Sequence, residues 1–290
     1  MTLQTPDPAR TPPPDERKQR VAEFWERASC GEDLYLRGNQ SEDYKAQCDI
    51  RYELEPYILR FIDAERWRGK KVLEVGVGLG SDHEWLVRHG AKLSGIDLTA
   101  RAIEHTRHRL ALLGLSSELS VGDAEALPFP DGTFDMVYSW GVIHHSPDTR
   151  KAASEILRVL KPGGTFKVMI YHTWSLVGLM LWVRYALLKG RPSTSMTEIY
   201  AKYLESPGTK AYTRTQASEL FADARSRTEV VLTHGDLLTS GAGQRHQGAL
   251  LSLARHVWPR WLLRRLAKGN GLFLLIDGQK LPAPAGRLDQ

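Results

Sequence analysis

The sequence predicts an α/β protein whose largely parallel sheet carries helices on both faces. Short apolar runs at 72–75, 91–96, 136–139 and 165–170 have the length of strands buried on both sides. Stretches of helical length, at 79–89 and 151–160, alternate with them. Glycine-bearing turns punctuate the joins, at Gly76, Gly78 and Gly80 and again at Gly163 and Gly164. With 290 residues, one large α/β domain with additions is the natural expectation.

The first element is the most informative. Residues 71–82 read KVLEVGVGLGSD: a strand, a glycine turn and the start of a helix. Glycines let backbone approach a ligand closely, and a helix N-terminus offers unpaired N–H groups. A dinucleotide fingerprint needs G-x-G-x-x-G, but Ser81 stands where its third glycine belongs. Glu74, at the end of the strand, would also face a pyrophosphate unfavourably. A carboxylate there suits a ligand without phosphates that carries an ammonium group, such as S-adenosylmethionine. The second strand ends at Asp97, placed to accept hydrogen bonds from ribose hydroxyls.

Further motifs follow in order. They are GDAEALPFPDGTFD (122–135), the strand leading to SWGVIHH (139–145), and LKPGG (160–164) turning into the next strand. Together with VLEVGVGLG and GIDLT they make the chain resemble the class I S-adenosylmethionine-dependent methyltransferases. The likeness is to their small-molecule branch, methyltransferase type 11, which contains the ubiquinone/menaquinone-type enzymes. It is clear over about 67–171 and looser in the final strands. It implies a Rossmann-like seven-stranded sheet with helices on both faces, N-terminal lid helices and an inserted helical cap. It also implies that strands at 229–233 and 273–276 form an antiparallel edge hairpin. By the same resemblance Glu74, Gly76 and Gly78 line the methionine moiety, and Asp97 with Leu98 holds the ribose. Asp123 meets the adenine amino group beside Ala124, and Ser139, Trp140 and Gly141 floor the sulfonium. S-Adenosylmethionine is the expected cofactor and S-adenosylhomocysteine its product.

Composition fits a cytoplasmic enzyme. Cys30 and Cys48 imply no disulfide framework, and neither cysteines nor histidines show metal-ligand spacing, so no metal is expected. The Pro-rich polar start lacks the apolar core of a signal peptide and reads as a flexible tail over 1–20. A helical lid is expected over 21–65, and the methyltransferase domain over 66–290, with helical insertions at about 172–226 and 240–270. The aromatics of the lid region fit two roles, packing helices on the sheet or covering the ligand. Trp25, Tyr35, Arg51 and Tyr52 are the residues expected for the second.

The additions after the core carry a second signal. An apolar run at 174–188 is interrupted by Arg184 and is shorter than the roughly 18 to 20 residues that span a bilayer. The segment 245–269 holds Arg245, Arg255, Arg260, Arg264, Arg265 and Lys268, and no Asp or Glu occurs from Leu237 to Ile276. Much of the formal net charge of +5 therefore sits there. Such a segment fits a cap helix packed on the core, the wall of an apolar substrate pocket, or contact with the inner face of an anionic membrane. Nucleic acid ranks last among the partners. Lys210 and Tyr212, in a loop returning toward the sheet, could face a substrate or simply connect elements.

Methyl transfer from a sulfonium is an in-line displacement, so an enzyme mostly supplies position. A general base is needed only where the acceptor loses a proton. His144 and His145, just past the fourth strand, are the candidate base or substrate orienter, with His172 at the pocket rim. A small hydrophobic or aromatic metabolite is the expected acceptor. Two alternatives stay open: a non-catalytic cofactor-binding sensor or scaffold, and an RNA or protein methyltransferase. Ser139-Trp140-Gly141-Val142 stands where base-methylating enzymes carry an Asn/Asp-Pro-Pro-Tyr/Phe motif, which disfavours the nucleic-acid reading.

Overall fold

The computed structural model describes residues 14–239, 255, 256 and 258–282. Its helices precede and flank one sheet. In chain order they are α1 (Pro14–Arg27), α2 (Glu32–Tyr35), α3 (Ser41–Leu54) and α4 (Tyr57–Ile62), then β1 (Lys71–Val75), α5 (Ser81–Arg88), β2 (Lys92–Asp97), α6 (Ala100–Leu112) and β3 (Glu118–Val121). There follow β4 (Phe134–Trp140), α7 (Thr149–Val159), β5 (Leu160–Tyr171), α8 (Leu176–Tyr185), α9 (Met196–Tyr203), α10 (Arg214–Leu220), β6 (Ala224–Val231), α11 (His234–Leu237), α12 (Arg260–Leu266) and β7 (Phe273–Lys280).

The seven strands lie in the order β3-β2-β1-β4-β5-β7-β6. All neighbours are parallel except β7, which runs antiparallel to both β5 and β6. The expected edge hairpin is therefore present. Chain direction across the sheet reverses between β1 and β4, the switch point where open α/β sheets leave a crevice at their carboxyl edge.

Alternation along the central strands divides the core in two. Leu73, Val75 and Val137 face one side with Ile156 of α7 and Phe221, whereas Val72, Met136 and Tyr138 face the other with Leu86 of α5 and Ile58 and Ile62 of α4. Local chemistry starts the helices. Thr99 caps α6 by accepting from Ala102 N–H, Asp148 caps α7 by accepting from Lys151 N–H, and Ser175 caps α8 by accepting from Gly178 N–H.

Three boundaries differ from expectation. Helix α1 starts at Pro14, inside the stretch read as tail, because a proline at the helix start followed by Asp15 and Glu16 is a good N-terminus. Strand β3 is only four residues long, Glu118–Val121, and lies mostly exposed at the sheet edge, too short for its alternation to stand out. Strand β6 begins at Ala224, several residues before the expected 229, because its exposed first half alternates Arg225, Arg227 and Glu229. The insertion expected at 240–270 lies partly outside the described residues; its described part contains α12.

Candidate active site

Three carboxylates stand near the carboxyl edges of adjacent strands, around the turn that follows β1. Gly76 and Gly78 have φ of 84° and 52°. A Cβ on Gly76 would lie 2.1 Å from Val142 Cγ2, so this glycine lets the turn pack on the loop after β4. At Gly78 a Cβ would meet nothing within 4 Å. That empty space opens onto a cavity of about 850 Å³, the size of a cleft for a nucleoside-sized ligand plus a second molecule.

Asp97 braces the turn: its Oδ2 accepts from Gly78 N–H at 3.2 Å, and its Oδ1 from Thr99 N–H at 3.0 Å and Thr99 Oγ1 at 2.8 Å. Burial pushes its pKa up, and these hydrogen bonds oppose the rise. Glu74 is buried, with Oε2 2.8 Å from His83 Nδ1, and His83 Nε2 is 2.9 Å from Ser117 Oγ. Burial drives Glu74 well above the usual carboxylate range and holds His83 down to about 3, so the imidazole is neutral.

A residue that sequence reasoning missed organises the helix side. Asp82 accepts from Arg51 Nη2 at 2.7 Å, Tyr52 Oη at 3.0 Å and Tyr138 Oη at 2.8 Å. It thereby fastens α3 to α5 and β4. Nearby, Arg109 Nε donates to Glu84 at 2.6 Å while its Nη1 reaches Gln47 at 3.0 Å. The N-terminal helices are also tied elsewhere. Arg101 of α6 holds Glu32 of α2, lowering that carboxyl to about 2, and Lys18 Nζ of α1 lies 2.6 Å from Asp123 and 2.7 Å from Glu125. Asp123 thus shares its carboxylate with α1.

Among the cofactor residues expected from sequence, Glu74, Gly76, Gly78, Asp97, Leu98 and Asp123 line the cavity. Ala124 and Trp140 line it too, as do Trp25, Tyr35, Arg51 and His145 from the lid and substrate expectations. Five expected residues are not on its wall, Tyr52 among them, whose hydroxyl is engaged by Asp82. Ser139 and His144 are fully buried behind it. His144 packs at 4.1 Å from the Tyr171 ring, and burial beside His145 pushes its pKa well below 6.5. His172 and Tyr212 form a β-bridge with each other under the cap. Lys210, read as a possible substrate contact, instead donates to the carbonyls of Ser146 and Pro147 and holds the loop after β4.

The far side of the cavity carries a second polar group. His145 Nδ1 lies 2.8 Å from Ser206 Oγ and 3.1 Å from Thr209 Oγ1, and its Nε2 is 3.4 Å from Glu205 Oε2. Tyr171 Oη donates to the same Glu205 oxygen at 2.6 Å. Trp25 meets the His145 ring edge-on at 5.4 Å. Glu55, also on the wall, is raised to about 7 by burial, against the opposing pull of Arg51. Glu55 and Glu205 escaped sequence reasoning, for neither belongs to a local motif. Beyond them the wall turns apolar, through Val177, Met180, Val183, Leu204 and Phe273. Among the described residues no cluster of side chains is arranged to hold a metal ion.

A seven-stranded sheet with this strand order, with a glycine turn at its switch point and three carboxylates beside it, is the Rossmann-like fold of S-adenosylmethionine-dependent methyltransferases. Residues 73–168 match the family model described as a methyltransferase domain. The chain is 41% identical over 115 residues to the Oryza sativa subsp. japonica protein named "Probable tocopherol O-methyltransferase, chloroplastic", covering 39% of this chain and 31% of that one. It is 42% identical over 100 residues to the phthiotriol/phenolphthiotriol dimycocerosates methyltransferase of Mycobacterium tuberculosis (strain ATCC 25177 / H37Ra), covering 34% and 36%. The aligned stretch therefore spans about a third of each of these relatives. A crystal structure of an S-adenosylmethionine-dependent methyltransferase from Mesorhizobium loti shares the fold, with a TM-score of 0.51 at 17% identity, over 75% of this chain and 96% of that one.

Proposed function

We propose that this protein transfers a methyl group from S-adenosylmethionine to a small apolar or aromatic acceptor. The observation that carries the reading is the convergence of Glu74, Asp97 and Asp123 with the open turn at Gly78 on one cavity that continues into an apolar wall. The residues present fit the cofactor. Gly78 leaves backbone bare toward the cavity, Asp97 suits a ribose diol, and the acid-rich end around Glu74, Glu55 and Asp82 suits a cationic amino-acid end.

When bound, S-adenosylmethionine supplies an electrophilic methyl group on a sulfonium. The chain's own contribution is positioning, worth roughly 7 to 11 kcal/mol where geometry is well held. Trp140 and the turn after β4 form one wall, and α1 with Trp25 covers the site and excludes water. Where the acceptor atom carries a proton, His145 and Glu205 receive it. Ser206 and Thr209 hold the ring at Nδ1, leaving Nε2 directed toward Glu205. The acceptors in the two relatives' names, tocopherol and phthiotriol dimycocerosates, agree with the apolar wall.

Calorimetry with S-adenosylhomocysteine tests cofactor binding, and product release with phenolic, quinol and long-chain hydroxyl acceptors tests transfer. Absence of binding would overturn the reading. Binding without turnover of any acceptor would favour a non-catalytic sensor.

A further inference from the structure

We infer that the mouth of the cavity is a docking face for an anionic lipid bilayer. The sequence supplies the two halves of such a face. No Asp or Glu occurs from Ile156 to Thr197, and none from Leu237 to Ile276. Within these stretches Lys189, Arg191, Arg264, Arg265 and Lys268 are exposed. Large apolar side chains are exposed among them: Trp261 and Leu266 at 73% each, Leu188 at 63%, Trp174 at 59%, and Leu179 and Leu187 close behind. Folded proteins normally bury such side chains, and a cluster of them ringed by cations marks a surface that meets another phase.

The fold brings the two stretches together. Asp236 of α11 accepts from Val177 N–H of α8 at 3.0 Å, and its carbonyl accepts from Trp258 Nε1 just before α12 at 3.0 Å. Asn270, past α12, donates through Nδ2 to the Trp174 carbonyl at 3.0 Å, and its own carbonyl accepts from Leu176 N–H at 2.9 Å. The start of α8 and the segments flanking α12 are therefore tied to one another and to α11.

Continuity with the cavity identifies the occupant. Leu179 and Leu188 are exposed and also line the cavity, as do Arg184 and Trp258. The apolar wall thus runs unbroken from the reaction chamber to the surface. Among the described residues no helix is long and apolar enough to cross a membrane, so the contact is with the interface. Tryptophan at the headgroup level, leucine beneath it and cations toward anionic headgroups match that environment in both polarity and charge. A second copy of the chain would not supply the charge, because this face would meet like charge.

The proposal adds a partner to the methyl-transfer reading. Sedimentation with phosphatidylcholine vesicles containing about one-third phosphatidylglycerol tests it at low salt, without cofactor or acceptor, so either reading can fail alone. The full chain should co-sediment with these vesicles, bind pure phosphatidylcholine at least about tenfold more weakly, and release in high salt. Trp261→Glu with Leu266→Glu, both solvent-exposed and off the cavity wall, should weaken binding about tenfold or more while leaving the thermal melt unchanged. Arg264→Gln with Arg265→Gln should do so by about tenfold on anionic vesicles alone. No co-sedimentation, binding indifferent to Trp261→Glu with Leu266→Glu, or a lipid-free dimer abolished by those substitutions would overturn the proposal.

Discussion

At the residue scale, the two histidines after β4 differ in their surroundings. His145 lines the cavity and is steadied at Nδ1 by two hydroxyls, with Nε2 buried beside Glu205, whereas His144 is sealed away and neutral. His145→Gln and Glu205→Gln should each lower kcat about a hundredfold on an acceptor that loses a proton, with little change in S-adenosylhomocysteine affinity. His144→Gln should act only on stability; a selective loss of kcat there would reverse the assignment. Glu55 has a separate consequence. Its folded pKa of about 7 lies above the ordinary 4.5, so the neutral form is favoured in the fold. The stability this contributes is fully present below pH 4.5 and lost as pH rises through about 7. Glu55→Gln should therefore match wild type at low pH and exceed it by up to about 3 kcal/mol above pH 7, read from urea unfolding at a series of pH values. Sequence could propose Glu74 and Asp97 because each sits at the carboxyl end of a legible strand, and Asp123 because the GDAEALPFP motif carries the resemblance. It could not propose Glu55, Asp82 or Glu205, whose importance comes from what α3, α5 and the cap bring to them.

At the element scale, the glycine turn was legible because its conformation demands particular residues, and the demand differs along it. Gly76 is constrained twice, by φ of 84° and by Val142 at 2.1 Å from any Cβ, while Gly78 is constrained by backbone alone. Gly76→Ala should therefore cost about 2 to 5 kcal/mol of stability and Gly78→Ala only about 1 to 2. Gly78→Ala should nonetheless weaken cofactor binding, because its methyl group projects into the cavity. Equal unfolding midpoints for the two variants would contradict this account. The first half of helix α1 was hidden in a polar, Pro-rich start, since its attachment rests on Lys18 bridging Asp123 and Glu125. Two such partly exposed ion pairs are worth little each, so Lys18→Ala should speed S-adenosylhomocysteine release only about threefold in a stopped-flow displacement. Strand β3 was illegible for a different reason: it is four residues at a sheet edge, too short for its alternation to be told from a loop.

At the scale of the whole molecule, the crevice at the β1/β4 switch point has a floor of sheet and a roof of N-terminal helices, and the ligand would bridge them. The roof is pinned at separate points: Lys18 on the loop after β3, Glu32 on Arg101, and Arg51 on Asp82. Each pin lies beside a residue on the cavity wall, so a bound ligand adds contacts to roof and floor together. A ligand at a hundred times its Kd stabilises the folded state by about 2.7 kcal/mol, which for a chain of this size raises Tm by about 4 to 5 °C. The distribution of that gain is the sharper test. Hydrogen exchange with saturating S-adenosylhomocysteine should slow most in residues 14–54 and 76–82, which face one another across the crevice. It should slow least in β6 and β7, whose pairing lies at the far edge of the sheet. Protection confined to the glycine turn would mean that the roof packs on the sheet without sensing the ligand. The lid role of α1 to α3 would then be lost, while the cofactor cradle would stand.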